Sequence, residues 1–266
     1  MSVSIDFTGK AVIVTGGTKG VGRGIAERFL AAGANVIVCS RTAPERPVSV
    51  GGREAVFVAT DVRDIDQISA VIGQAIARFD RLDVLVNNAG GSPPAEAATA
   101  SPRFSEAIIR LNLLAPMNFA QQANAVMQKQ SDGGSIVNIA SVSGVRPSPG
   151  TAAYGAAKAG LLSLTQSLAV EWAPKVRVNA ITAGMIRTEQ SELHYGDEAG
   201  IARVAETVPL GRLAEPDDVG DLCLFLASPL ARYVSGASIL LHGGGEKPAF
   251  LQAAEGTVPV SVSSEK

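Results

Sequence analysis

The feature that most constrains this chain is an alternation of two kinds of segment. Short runs of β-branched and other apolar residues occur at 11–15, 35–39, 55–60, 84–87, 135–139, 177–181 and 238–241. Between them lie longer stretches, rich in Ala and Leu at helical spacing, near 20–32, 65–79, 104–128, 152–172 and 217–227. Most of the short runs are continuously apolar rather than alternating, as strands must be when helices cover both faces of a parallel sheet. Repeated strand–helix–strand units with right-handed crossovers predict an α/β fold: one doubly wound domain around a seven-stranded parallel sheet. One crossover departs from the pattern. Between Cys39 and Ala55 stand Pro44, Pro47 and the pair Gly51-Gly52, which leave little room for a helix. A shortened, irregular or one-turn crossover is expected there, leaving part of one sheet face exposed.

Composition narrows the partners. The 266 residues are long enough for one large domain, and 46% of them are apolar, with a net charge of −2. Nucleic acid is not expected as a partner, because no basic excess exists to bind its phosphates. No apolar run reaches the roughly 18 residues of a membrane span. The opening stretch Met1-Ser-Val-Ser-Ile-Asp-Phe7 carries neither a basic nor an apolar signal region, so a cytoplasmic protein is expected. Cys39 and Cys223 read as small buried apolar side chains, and His194 and His242 are too isolated to suggest a metal site. Residues 1–245 read as the domain and 246–266, without periodicity, as a tail that is either frayed or laid on a neighbouring subunit.

Thr15-Gly-Gly-Thr-Lys-Gly-Val-Gly22 joins the first strand to the first helix. Glycines at 16, 20 and 22, with Thr18, Lys19 and Val21 between them, let the backbone turn tightly beside a pyrophosphate. The helix beginning near Gly20 aims its amides and positive end at that charge. This placement predicts a Rossmann-type dinucleotide site. Further on, Tyr154 and Lys158 stand one helical turn apart on one face. A phenol with a pKa of about 10 is a poor base at neutral pH, and a nearby ammonium favours its phenolate. Taken alone, each motif has an ordinary reading as well: a hydroxyl turn at Ser141, a surface pair at Tyr154 and Lys158, a helix-interior amide at Asn112.

Together these motifs resemble those of the short-chain dehydrogenase/reductase family, in its so-called classical branch of about 250 residues. The resemblance runs from residue 7 to 245. It rests on the G-x-x-x-G-x-G loop, Asn87-Asn-Ala-Gly90, Asn112, Ser141, Tyr154-Gly-Ala-Ala-Lys158, Pro216-Asp-Asp-Val219, Phe225-Leu-Ala-Ser228 and Gly243-Gly244. It implies a nicotinamide-dependent oxidoreductase acting on a carbonyl or alcohol carbon. Tyr154 would be its acid/base, with Ser141 holding the substrate oxygen and Lys158 the nicotinamide ribose. Asn112 would support a water that links Lys158 to solvent. Asn88, Ala89 and Gly90 would meet the adenosine ribose, Asp61 and Val62 the adenine, and Gly184, Ile186 and Thr188 the carboxamide and pyrophosphate. Asn87 reads as a bridge between strands. The general look is closest to 3-oxoacyl reductases and related alcohol, sugar and steroid dehydrogenases. A homotetramer is implied, with a dimer left open.

Which nicotinamide is decided after the second strand. NAD would call for a carboxylate there, to bind the ribose hydroxyls and repel an extra phosphate. The chain instead reads Cys39-Ser40-Arg41. Arg41 can grip a phosphate bidentately, Ser40 can donate to it, and Lys19 adds a second cation. NADP(H) is therefore preferred and NAD(H) stays open. Three other readings are kept: an NAD-linked secondary-alcohol dehydrogenase, a dinucleotide-binding sensor without turnover, and a structural component of an oligomer. Two departures from the family pattern stand out. Ala183 replaces a proline, which would loosen the loop beneath the nicotinamide, and His242 replaces an acidic or amide residue before Gly243. Substrate choice is expected in 91–104 and in a lid at 189–212, with His194, Tyr195, Val142 and Val145 lining the pocket.

Overall fold

A computed structural model of the chain describes residues 5–249; most of the expected tail, 250–266, lies outside the described residues. Seven strands form one parallel sheet: β1 (Ala11–Thr15), β2 (Asn35–Ser40), β5 (Val56–Ala59), β6 (Val84–Asn87), β7 (Gly134–Ser141), β8 (Val176–Ala183) and β9 (Ser238–Leu241). Their order is β5-β2-β1-β6-β7-β8-β9, so the winding reverses between β1 and β6. Ligands of such sheets lie beyond the carboxyl ends of the strands at that reversal.

Helices cover both faces. On one, Val12, Val14, Val36 and Val38 pack against Ile25 and Phe29 of α1 (Gly20–Ala31) and against Val219 and Cys223 of α8 (Pro216–Ala227). On the other, Ile13, Ile37, Leu85 and Ile136 meet α2 (Ile65–Phe79), α4 (Ala115–Met127) and the end of α5 (Ala152–Glu171). Continuous apolar strands follow directly, since alternate residues serve opposite cores. Helix ends are written in the sequence. Asp64 caps α2 by accepting from the Asp66 and Gln67 amides, and Glu215 and Asp218 form a capping box around Pro216. Helices α1 and α8 cross closely because Gly24 and Gly220 lack side chains. A Cβ on Gly220 would stand 2.5 Å from Cγ of Arg28.

Three expectations need amendment. The crossover after β2 is shortened and irregular over residues 41–48, as expected, but it ends in a hairpin that was not, β3 (Ser49–Val50) with β4 (Arg53–Glu54). Its loop residues Gly51 and Gly52 have φ of 57° and 78°, the left-handed pair a tight hairpin turn demands. Val48 of the crossover is only 2% exposed and joins the α1-side core, while the edge strand β5 stays partly exposed, as expected. Arg23 of α1 holds the crossover by donating to the carbonyls of Arg46 and Pro47, at 3.1 and 2.9 Å.

The expected single helix at 104–128 is divided. α3 (Pro102–Ile109) runs into a π-helical turn, Arg110–Leu114, before α4 begins. Pro116 is the physical reason: it has no amide to give the carbonyl four residues back, that of Asn112. The wider turn absorbs the defect, with the Ala115 amide bonding to Arg110 O.

Nor does Ala183 loosen its loop. It extends β8 and pairs with Leu241, and the Gly184 amide donates to Leu241 O at 2.8 Å. The segment expected as a lid folds into α6 (Glu192–Tyr195) and α7 (Glu198–Thr207), the latter capped by Asp197.

Candidate active site

A cleft of about 520 Å³ opens at the carboxyl ends of β1, β6 and β7, at the reversal of the sheet. Its floor at one end is the glycine loop. Gly16 and Gly20 have φ of 65° and 51°, and a Cβ at Gly22 would collide with Gly16 O and the Asn88 amide. The loop is pinned from β6. Asn88 Nδ2 donates to Thr15 O at 2.9 Å, and Thr15 Oγ1 accepts from the Asn88 and Ala89 amides at 2.9 and 3.0 Å. Helix α1 starts at this loop with no side-chain cap and no acidic residue in its first turn. Its leading amides therefore face the cleft without an acceptor of their own.

Along the cleft stand the charged residues expected around the adenosine end. Lys19, Ser40, Arg41, Asp61 and Val62 all line it. Thr18 turns aside to donate to Ser40 Oγ at 3.1 Å, and Ser40 in turn donates to Thr42 O at 2.5 Å. Asp61 is clamped by Arg63, whose Nε and Nη2 donate to its two oxygens at 2.9 and 2.6 Å. That side-chain bond, opposed by some burial, holds the Asp61 carboxyl down at about 2.

At the other end Ser141, Tyr154 and Lys158 converge. Ser141 closes β7, and its Oγ accepts from the Ser143 amide at 3.2 Å, which shapes the short 3-10 turn that follows. Tyr154 and Lys158 sit on the first turns of α5, and Lys158 Nζ lies 5.6 Å from the centre of the Tyr154 ring. Lys158 is 3% exposed, and burial lowers its ammonium to about 8. The lowering of the Tyr154 phenol was expected from the ammonium together with an oxidised nicotinamide, and the protein's own groups do not supply it alone. Burial raises the phenol, and the Ser141 hydroxyl hydrogen-bonded to it only partly offsets that. The reason is direction: the ammonium donates to Ile139 O at 2.7 Å, not to the phenolic oxygen.

Asn112 lies beneath the cleft rather than on its wall, fully buried in the π turn. Its amide exchanges two bonds with the backbone of Gly91, both 2.9 Å, and donates to Ile108 O at 3.0 Å. Gly90 fits between this amide and the ammonium: a Cβ there would stand 2.6 Å from Asn112 Oδ1 and 3.4 Å from Lys158 Nζ. Asn87 bridges strands as expected, donating to Asn138 Oδ1 at 2.9 Å. Gly184, Ile186 and Thr188 line the opposite wall.

The residues present fit a nicotinamide dinucleotide. The uncapped start of α1 suits a pyrophosphate, the cleft runs unbroken from it to Tyr154, and a Cβ at Gly90 would crowd Asn112 Oδ1. Among the described residues no group of three or more His, Cys, Asp or Glu is placed to hold a metal, and no helix is long and apolar enough to cross a membrane. Over residues 16–246 the chain matches a family model described as enoyl-(acyl carrier protein) reductase. The chain belongs to the short-chain dehydrogenase/reductase family.

Relatives of this short-chain dehydrogenase/reductase carry varied names. It is 36% identical over 254 residues to oxidoreductase UcpA of Salmonella typhimurium, covering 91% of this chain and 96% of the relative. It is 35% identical over 245 residues to the L-rhamnose 1-dehydrogenase (NAD(P)(+)) of Azotobacter vinelandii, covering 88% and 96%. The solved ligand-free aldohexose dehydrogenase of Thermoplasma acidophilum superposes with a TM-score of 0.82 at 32% identity, covering 90% of this chain and 94% of that one.

Several residues of this short-chain dehydrogenase/reductase site escaped the sequence reading. Thr15 was visible only as the last residue of a strand, yet its hydroxyl ties β6 to the loop. Arg63, four residues past the end of β5, lines the cleft and neutralises Asp61. Glu189 lines it from the lid segment. His194 reaches the cleft as expected, whereas Tyr195 packs against the small core of α7 around Ile201 and Val208. Beside it Arg146 and Glu246 form an ion pair at 2.6 Å.

Proposed function

We propose that this chain is an NADP(H)-dependent oxidoreductase that reduces a ketone, or oxidises the matching secondary alcohol, with Tyr154 as acid/base. The observation that carries the reading is the meeting of Ser141, Tyr154 and Lys158 at the end of a cleft that starts at an uncapped helix. Ser141 holds the substrate oxygen beside the phenol. Tyr154, kept protonated by burial, gives its proton to that oxygen as the carbonyl becomes an alcohol. Lys158 orients the ribose and, through its ammonium, steadies the charge left on the phenolic oxygen. The dinucleotide, when bound, supplies or takes the hydride. Asn112 acts as a positioning residue that fixes Gly90 and Gly91 against the ammonium.

Arg41, Lys19 and the absence of a carboxylate at the end of β2 support NADP(H) over NAD(H). Asp61 does not oppose this, since Arg63 already balances its charge. An NAD-linked secondary-alcohol dehydrogenase is the second reading, favoured by a relative whose name admits both nicotinamides. The names of the rhamnose and aldohexose relatives direct the substrate search toward hydroxylated compounds first. Assembly as a homotetramer, or a dimer, belongs to the same reading. Cys39 and Cys223 are free and buried, which suits a reducing compartment, and we place the reaction in the cytoplasm on that ground.

The test is turnover. Purified protein is offered ketones, sugars and secondary alcohols with each nicotinamide in turn. NADPH-driven reduction of at least one ketone is expected. NADPH binding with no turnover anywhere in such a set would favour a sensor instead.

A further inference from the structure

We infer that Glu189, on the lid side of the cleft, sets dinucleotide affinity by opposing the phosphates at the start of α1; this rests on the cofactor reading above. Helices α2, α3, α7 and α8 carry acceptor side chains at their own N-termini, whereas α1, like α4, α5 and α6, has none. The negative charge nearest that end comes from elsewhere in the chain. A Cβ built on Gly20, the first residue of α1, would stand 3.7 Å from Glu189 Oε1 and 3.6 Å from Thr188 Cγ2. Glu189 therefore leans over the loop that would receive the pyrophosphate, and it lines the same cleft. No hydrogen bond or ion pair to another described residue engages its carboxylate, whereas Arg187, two residues earlier, pairs with Glu198 at 2.9 Å.

A carboxylate at a helix start is favourable on its own, because it answers the positive end of the helix. It becomes unfavourable once two phosphates occupy the same place. The chain thus carries an internal anion that competes with its cofactor, and binding requires the Glu189 side chain to swing outward. Glu189 is exposed, so its movement is sterically free and its charge is open to screening by salt. Weaker dinucleotide binding of this kind speeds release, a step that often limits turnover in enzymes with lids.

The experiment measures dissociation constants by titration calorimetry for the wild-type chain, Glu189→Gln and Glu192→Gln. Glu192 lies in α6 of the same lid but does not line the cleft, so it controls for net charge. The ligands are NADPH, ADP-ribose, which keeps the pyrophosphate, and adenosine, which lacks it. Glu189→Gln is expected to tighten NADPH and ADP-ribose roughly two- to tenfold at low ionic strength, with the gain shrinking in 0.5 M salt. Adenosine binding and the Glu192→Gln protein should not change. Equal NADPH affinities for wild type and Glu189→Gln would overturn the inference, as would an equal gain for adenosine. If none of the three proteins binds any of the ligands, the cofactor reading falls with it.

Discussion

Lys158 supports Tyr154 from the side: its ammonium lies 5.6 Å from the ring centre while donating to Ile139 O at 2.7 Å. The pair is therefore arranged so that burial keeps the phenol protonated while the lysine already loses its proton near pH 8. A protonated phenol is the form that reduction needs, and a phenolate the form that alcohol oxidation needs.

Opposite pH dependences for the two directions follow. Reduction should hold level through neutral pH and fall on the alkaline side, whereas oxidation should rise with pH over the same range. Initial rates from pH 6 to 10, in both directions and with one substrate pair, check this. Parallel profiles would contradict it.

Lys158 also leaves a mark on stability. Burial lowers its pKa from 10.5 to about 8, so the buried ammonium weighs against the fold below about pH 8. Between about 8 and 10.5 the unfolded chain holds a proton that the folded chain has released, and stability rises with pH, by about 1.4 kcal/mol for each unit of difference between the two values. Urea unfolding of wild type and Lys158→Met should therefore converge at low pH in slope but diverge between pH 8 and 10, with only the wild type gaining. Identical pH dependence in the two proteins would refute the assignment.

Arg41 is the residue on which the nicotinamide preference turns. Arg41→Ala should weaken NADPH by roughly 10- to 100-fold, the scale of charge-assisted hydrogen bonds of about 1.5–3 kcal/mol, and change NADH less than about twofold. Fluorescence titration with both nucleotides measures it. Equal losses would mean that Arg41 does not meet the extra phosphate.

Much of this was legible before any coordinates. The strands at Ala11–Thr15, Val84–Asn87 and Ser238–Leu241 are bounded as the residues suggested; the first two are buried on both faces, as continuous apolar runs require, and the third is a half-exposed edge. The residues around the cleft were legible chiefly through the resemblance of their motifs to those of the short-chain dehydrogenase/reductase family. What escaped reading depends on three-dimensional detail. The π turn at Arg110–Leu114 hides inside an unbroken helical pattern, since Pro116 is tolerated early in a helix and its effect falls on a carbonyl four residues earlier. The hairpin after β2 was masked by its prolines. Arg63 and Glu189 are charged residues on loops, and nothing in their sequence neighbours says that they face the cleft.

Asn112 tests that hidden turn. Asn112→Ala would leave the part-buried amide and carbonyl of Gly91, lining the cleft, without their side-chain partner, at a cost of about 1–2 kcal/mol. Urea denaturation should register that loss, and turnover should fall further than nucleotide affinity, because Gly90 and Gly91 hold the floor next to Lys158. A variant as stable as wild type would show that the amide pair carries little.

The central claim is that the Tyr154 hydroxyl carries the proton, and Tyr154→Phe measures it most directly. That variant keeps the ring and its packing and removes only the hydroxyl. With the best ketone found and saturating NADPH, kcat is expected to fall by at least about 10²- to 10⁴-fold while the dissociation constant for NADPH stays within about twofold. Turnover undiminished in Tyr154→Phe, with cofactor still bound, would contradict the account.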